Sequence, residues 1–153
     1  MTKTGAKIRH AEKGFLRGRL YYTVYKNGVE IETFADSNLI VNTARLQMSH
    51  LVAGDVSGRS INRVALGTNG SVAIVTDTEI ANAFVKNVDS FEYPAIDRVK
   101  INWKILQGEA NGMAIMEFGL LTEDGKLFAR RRRDKPLNKE SDISIEGEWI
   151  IIF

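Results

Sequence analysis

The sequence predicts a mainly β fold, an antiparallel β-sandwich or sheet with one or two short helices. Strand-like runs alternate with glycine turns over the last ninety or so residues: Ile61–Leu66, Arg98–Ile105, Met113–Leu121, Lys126–Arg130 and Ile143–Phe153. Turn pairs recur at Asn27-Gly28, Asn69-Gly70, Asn111-Gly112 and Asp124-Gly125. Asn-Gly and Asp-Gly tolerate the positive φ of tight turns. Only two prolines occur, Pro94 and Pro136. Both are expected outside the clearest strands, where no ladder hydrogen bond is lost.

Residues 1–14 are polar and basic without a period and read as a flexible arm, ahead of a single β-rich domain over 15–153. From Phe15 onward, Leu16, Leu20, Tyr22 and Val24 fall on alternate positions, broken at Gly18. Asn27-Gly28 joins Arg19–Lys26 to Val29–Phe34 as a hairpin. Asn42 is the expected N-cap of a helix over 43–53, because its side chain can accept from a free backbone N–H. Ala44, Met48, Leu51 and Val52 then fall on one helical face, and Gly54 sits where helices end. Asp55–Ser60 is a loop of small residues. Thr76-Asp-Thr-Glu79 is read as the cap of a second short helix through Phe84. Val99, Ile101, Trp103 and Ile105 alternate with Lys100, Asn102 and Lys104, a half-buried strand.

The closing run is apolar on both faces. Ile150 and Ile152 oppose Trp149, Ile151 and Phe153. One face can meet the core; the other needs a second layer or another subunit. Trp149, Ile150, Ile151, Ile152 and Phe153 are therefore a candidate interface, and a homo-oligomer is expected.

A chain of 153 residues suits one domain and can bury a core without cross-links. With no cysteine, disulfides, thiolate metal sites and thiol catalysis are excluded. His10 and His50 lie far apart and outside any metal-ligand spacing, so no metal or cofactor is implied. A net charge of +2 is an ordinary surface and gives little reason to expect a polyanion partner. No apolar run approaches the roughly 20 residues of a membrane span. Met1–His10 is charged with no apolar stretch after it, unlike a signal peptide. The chain is expected in the cytoplasm or carried out by an assembly.

Arg130-Arg-Arg-Arg133 is the most tempting functional feature, since guanidinium groups clamp phosphates. As a strand it puts Arg130 and Arg132 on one face and Arg131 and Arg133 on the other, where ion pairing explains it without a partner. Glu117 lies in an apolar strand and needs a partner. If Asp124-Gly125 is a two-residue turn, Glu123 faces Lys126, Leu121 faces Phe128, Gly119 faces Arg130 and Glu117 faces Arg132. Gly119 has no side chain, so Arg130 can also reach Glu117. A structural ion pair among Glu117, Arg130 and Arg132 is expected. Catalytic residues are not: no motif places a nucleophile, and Gly67–Gly70 is too short for a phosphate loop. Tyr21, Tyr22 and Tyr25 form a sugar platform only if they share a face, and alternation sets Tyr22 opposite the others. His50 reads as a boundary residue.

Six segments occur in order: Ala65-Leu-Gly-Thr-Asn-Gly70, Thr76-Asp-Thr78, Met116-Glu-Phe-Gly-Leu-Leu121, Leu127-Phe-Ala-Arg130, Lys135-Pro-Leu-Asn-Lys139 and Trp149-Ile-Ile-Ile-Phe153. Together they resemble a diffuse group of bacteriophage and prophage tail proteins found around tail fibres and baseplates. Members share an "ALGTG" segment, an "E-x-GL…G-x-L-F-A-R" hairpin and a final "W-x-I-x-F" strand. The resemblance spans residues 61–153; Asn69 displaces the second glycine of the first segment, and the first sixty residues carry no motif of the group. It implies a structural or adaptor subunit of a tail, without catalytic residues, partnered by other tail proteins. The location implied is the virion, or the bacterial cytoplasm during assembly. A trimer is implied because tail appendages are often three-fold. Two alternatives stand beside it, a receptor- or glycan-binding module and a nucleic-acid-associated protein acting through Arg130–Arg133.

Overall fold

The chain forms β1 Arg17–Lys26, β2 Val29–Ile40, α1 Asn42–Val52, β3 Ile61–Gly67, β4 Phe84–Asn87, β5 Ser90–Ala95, β6 Arg98–Ile105, β7 Ala114–Thr122, β8 Leu127–Asn138 and β9 Ile143–Ile152. The computed structural model describes residues 16–153; the arm assigned to residues 1–14, with His10, lies outside them. All the paired strands are antiparallel, in one curled sheet of order β4-β3-β7-β8-β2-β1-β9-β6-β5. The strands at the two ends of that order, β4 and β5, are separated in sequence by only Val88 and Asp89. One corner of the curl is thus bridged by the chain itself. At the other corner β2 serves both layers: residues up to Asn38 pair with β1, and Leu39 and Ile40 pair with β8. Strands that change layer at corners are how two packed sheets join.

One core fills the curl. Leu20, Tyr22 and Val24 of β1 meet Trp103 of β6, Phe118 and Leu120 of β7, and Trp149 and Ile151 of β9. Tyr22 stacks on Phe34 with ring centroids 4.8 Å apart and also meets Phe118 at 4.7 Å. Gly18 keeps the inward alternation of β1: a Cβ there would collide with the Asn38 side chain. Asn38 Oδ1 in turn accepts from the Trp149 indole N–H at 2.9 Å. The β1–β2 turn matches its prediction, with Asn27 at φ 50° and Gly28 at φ 77° between paired Lys26 and Val29.

α1 starts one residue earlier than expected, and Asn42 is inside it rather than capping it. Val41 takes the N-cap position and no side chain caps the helix. The free donor of Asn42 goes instead to the Val75 carbonyl at 2.8 Å. Ala44 and Gln47 are the buried residues of the helix; Met48 is half-buried, and Val52 is left outside. The second helix, expected from Thr76 through about Phe84, is absent; the segment is irregular until β4. Asp77 does not cap a helix because its carboxylate accepts from the Ile74 N–H at 2.9 Å and binds Arg130. Both prolines lie inside strands, contrary to expectation. Pro94 falls in the register break of β5 between Glu92 and Ala95, and Pro136 in β8 beyond the two residues that β2 pairs with.

β9 is central, between β1 and β6. Trp149 and Ile151 face the core and are fully buried. Ile152, on the other face, is also buried within the chain, and Ile150 is half-buried. Their register neighbours are Arg17 and Arg98 for Ile152 and Arg19 and Lys100 for Ile150. Such side chains lay methylene stems over apolar neighbours while the charge stays in water. The candidate interface is corrected accordingly: Trp149, Ile151 and Ile152 are interior, and Phe153 at 57% exposure is the residue left open.

Candidate functional site

The β7–β8 register is the expected one from Gly119 onward, reached by a different route. β7 ends at Thr122 and Leu121 pairs with Leu127, so the turn is longer than two residues. A bulge at Phe128 absorbs the difference and restores Gly119 opposite Arg130 and Glu117 opposite Arg132. The Glu117 carboxylate nevertheless bonds Arg130 and not Arg132. Arg130 Nε donates to Glu117 Oε1 at 3.0 Å, and both side chains are 0% exposed. Arg132 stays 39% exposed, with Asp134 at 4.0 Å.

Around this pair the loop 68–82 is gathered onto the outer face of β3, β7 and β8. Arg130 Nη1 donates to Asp77 Oδ2 at 3.0 Å, and Nη2 to the carbonyls of Asn69 at 2.9 Å and Ser71 at 3.0 Å. Glu117 Oε2 accepts from the backbone N–H of Asn69 at 2.5 Å and of Ala81 at 3.3 Å. Both ends of the loop therefore hang from one carboxylate. Ile80 plugs the loop into the sheet: a Cβ on Gly119 would lie 2.7 Å from Ile80 Cδ1, and one on Gly67 would collide with Ile80 as well. Ile80 joins Val41, Ala65, Leu121 and Leu127 in a small second core.

Arg131 and Arg133 use the opposite face. Arg131 pairs with Asp36 at 3.0 Å and lies over the Phe34 ring at 5.2 Å. Arg133 grips Glu32 with two nitrogens, at 2.8 and 3.1 Å, and donates to the Tyr22 hydroxyl. Burial pushes the Tyr22 phenol up to about 12, against the lowering pull of Arg133. Three of the four guanidinium groups are thus engaged inside the protein, leaving Arg132. Binding to duplex DNA is accordingly expected to be weak, with log K falling against log salt at a slope near −1 and not near −4. A filter-binding or anisotropy titration across salt concentrations checks this. Tight binding abolished by neutralising the four arginines would contradict it.

Two residues without a motif tie connections together. Gln47 donates to Thr122 Oγ1 at 2.9 Å and Asp124 Oδ1 at 2.7 Å, clamping α1 to the β7–β8 turn. Burial alone would raise the Asp124 carboxyl, but hydrogen bonds from Thr122 and Gln47 leave it below the usual carboxylate range. Lys139, almost fully buried, donates to the Gln107 carbonyl, Asn111 Oδ1 and the Glu140 carbonyl at 3.1, 2.9 and 3.1 Å. Burial holds its ammonium below the ordinary lysine range. No local pattern marks either role, because, apart from the Glu140 carbonyl, the partners lie far away in sequence. His50 is a boundary residue as read, its Nδ1 2.7 Å from Asp55 Oδ2.

Two sizeable hollows open at the surface. An apolar groove of about 710 Å³ runs between α1 and the β5–β6 hairpin, lined by Met48, Leu51 and Val52 on one side and Phe91, Tyr93 and Phe153 on the other. Tyr93 is 79% and Val52 88% exposed. A hollow of mixed polarity, about 790 Å³, lies over β1, β9 and β6, with Tyr21, Phe34, Asn102, Trp103, Glu146 and Glu148 in its lining. Tyr21 and Tyr25 share the outward face and Tyr22 is buried, as alternation requires.

Among the described residues no cluster of His, Asp and Glu is placed to hold a metal ion, and no helix is long and apolar enough to cross a membrane. No protein-family model, curated protein or solved structure matches the chain.

Proposed function

We propose that the chain is a structural or adaptor subunit of a phage-like tail, in the baseplate or tail-fibre region, acting by protein–protein assembly. The observation that carries this reading is the apolar groove between α1 and β5, with Val52, Phe91, Tyr93, Ile96 and Phe153 all exposed beside it. Contiguous apolar surface on a domain whose core is already filled marks an interaction site. The tail-like motifs fit a framework role: Gly67, Glu117, Arg130 and Lys139 hold loops, and Trp149 fills the core. Partners are then other tail proteins, with further copies of this chain in a three-fold arrangement. A second reading, glycan or receptor binding, is favoured by the hollow of mixed polarity with Tyr21 at its wall. Immunogold labelling of virions from a strain that carries the gene tests the proposal. Label on the distal tail is expected; unlabelled particles beside abundant free chain in the cell would refute it.

A further inference from the structure

We infer that Lys139 and Asn111 become joined by a side-chain amide bond, the lysine Nζ displacing ammonia from the asparagine carboxamide. The inference is independent of the tail reading. Lys139 Nζ lies 2.9 Å from Asn111 Oδ1. The backbone fixes the two residues side by side. The Gly112 N–H donates to the Lys139 carbonyl at 2.8 Å, and the Lys139 N–H to the Met113 carbonyl at 2.9 Å. These bonds continue the β7–β8 ladder beyond the pair Ala114 and Asn138. The Gln107 and Glu140 carbonyls, each at 3.1 Å, hold the amine as well.

Lys139 is the one buried lysine among the described residues, and no carboxylate there lies within ion-pair distance of it. Burial outweighs the opposing fields of Glu109 and Asp142 and favours loss of its proton. A desolvated lysine amine is an activated nucleophile. The Asn111 carbonyl carbon sits one C=O bond, about 1.23 Å, beyond the oxygen that Nζ contacts. Rotation of the carboxamide then brings it to the roughly 3–3.5 Å of near-attack geometry. In the step, unprotonated Nζ forms a bond to Cγ, the Cγ–Nδ2 bond breaks, and one Nζ proton leaves with Nδ2 as ammonia. No oxidant or co-reactant is consumed. Asn111 is exposed, so ammonia has a path to water. The product is neutral and removes a charge from the interior, and its remaining N–H can go to the Gln107 or Glu140 carbonyl. The competing attack on Asn111, by the Gly112 nitrogen, would have to give up the hydrogen bond to Lys139. The cross-link would close a loop that contains all of β7 and β8, restricting the unfolded chain as other cross-links do.

The test is intact-mass spectrometry of the purified full-length chain, unfolded in denaturant. A mass lower than the sequence mass by one ammonia is expected, and a protease digest should contain a branched peptide joining residues 111 and 139. Asn111→Ala, at an exposed side chain, should restore the full sequence mass in a folded protein, and so should Lys139→Met. A chain at its full mass, or one shifted upward by deamidation of Asn111, would overturn the inference. So would a deficit that hydroxylamine removes, since that marks a succinimide at an Asn-Gly pair, or a deficit that persists in Asn111→Ala.

Discussion

Glu117→Ala is expected to lower the stability of the folded chain by about 3–5 kcal/mol, the usual cost of stranding a buried charge. The substitution leaves Arg130 buried with Asp77 as its remaining counter-charge. It also removes the acceptor of two loop amides, Asn69 and Ala81. Were the pair exposed, the loss would be only about 0–1 kcal/mol. Arg132→Ala is the internal control: Arg132 stands directly opposite Glu117 in register yet makes no bond to it. Its removal should cost no more than about 0.5 kcal/mol, as at ordinary surface sites. Urea unfolding of the two variants separates these cases. Equal, small losses would mean that the carboxylate is not held as described.

The second large effect is expected at Gly147. This residue pairs with Tyr22 on one side and Trp103 on the other in the centre of β9. A Cβ at Gly147 would run into the Trp103 indole, which is buried and packs against Phe118 at 5.7 Å between ring centroids. The ring is buried and packed, so Gly147→Ala should cost about 3 kcal/mol, the upper part of the overpacking range. Combined with Trp103→Leu, the same substitution should cost nothing further or stabilise slightly, because the overlap is gone and alanine restricts the unfolded chain. Denaturant midpoints of the two single variants and the double variant form the cycle. An equal cost of Gly147→Ala in both backgrounds would show that the indole is not what glycine accommodates.

What could be read in the chain beforehand was periodic and local. The β1–β2 hairpin, the β6 alternation and the face-sharing of Arg130 with Glu117 follow from a period of two and a turn pair. The pairing of Gly119 with Arg130 came out right although the turn did not, because the bulge at Phe128 offset the longer turn. What could not be read depends on distant partners. Thr76-Asp-Thr-Glu79 has the local form of a cap, but Asp77 is held by Arg130, fifty-three residues away. Gln47 and Lys139 look like surface residues until the connections they clasp are brought together. The closing strand looked two-sided because Ile150 and Ile152 are apolar, while the Arg and Lys neighbours beside them come from β1 and β6. The groove at α1 was half visible: Met48, Leu51 and Val52 were read as one helical face, while the opposite wall comes from distant strands.

The central structural claim is that Glu117 and Arg130 pin loop 68–82 to the sheet, and beside it stands the proposal that recognition falls to the apolar groove. Native-state hydrogen exchange reads the first part directly. Asn69 and Ala81 lie in a connection without regular structure, where amides ordinarily exchange through local opening. Their N–H groups donate to Glu117, and both are predicted to exchange as slowly as the paired amides of β7, becoming fast in Glu117→Ala. Rapid exchange of these two amides in the unaltered chain, at the rate of the exposed loop around Ser71, would contradict the claim.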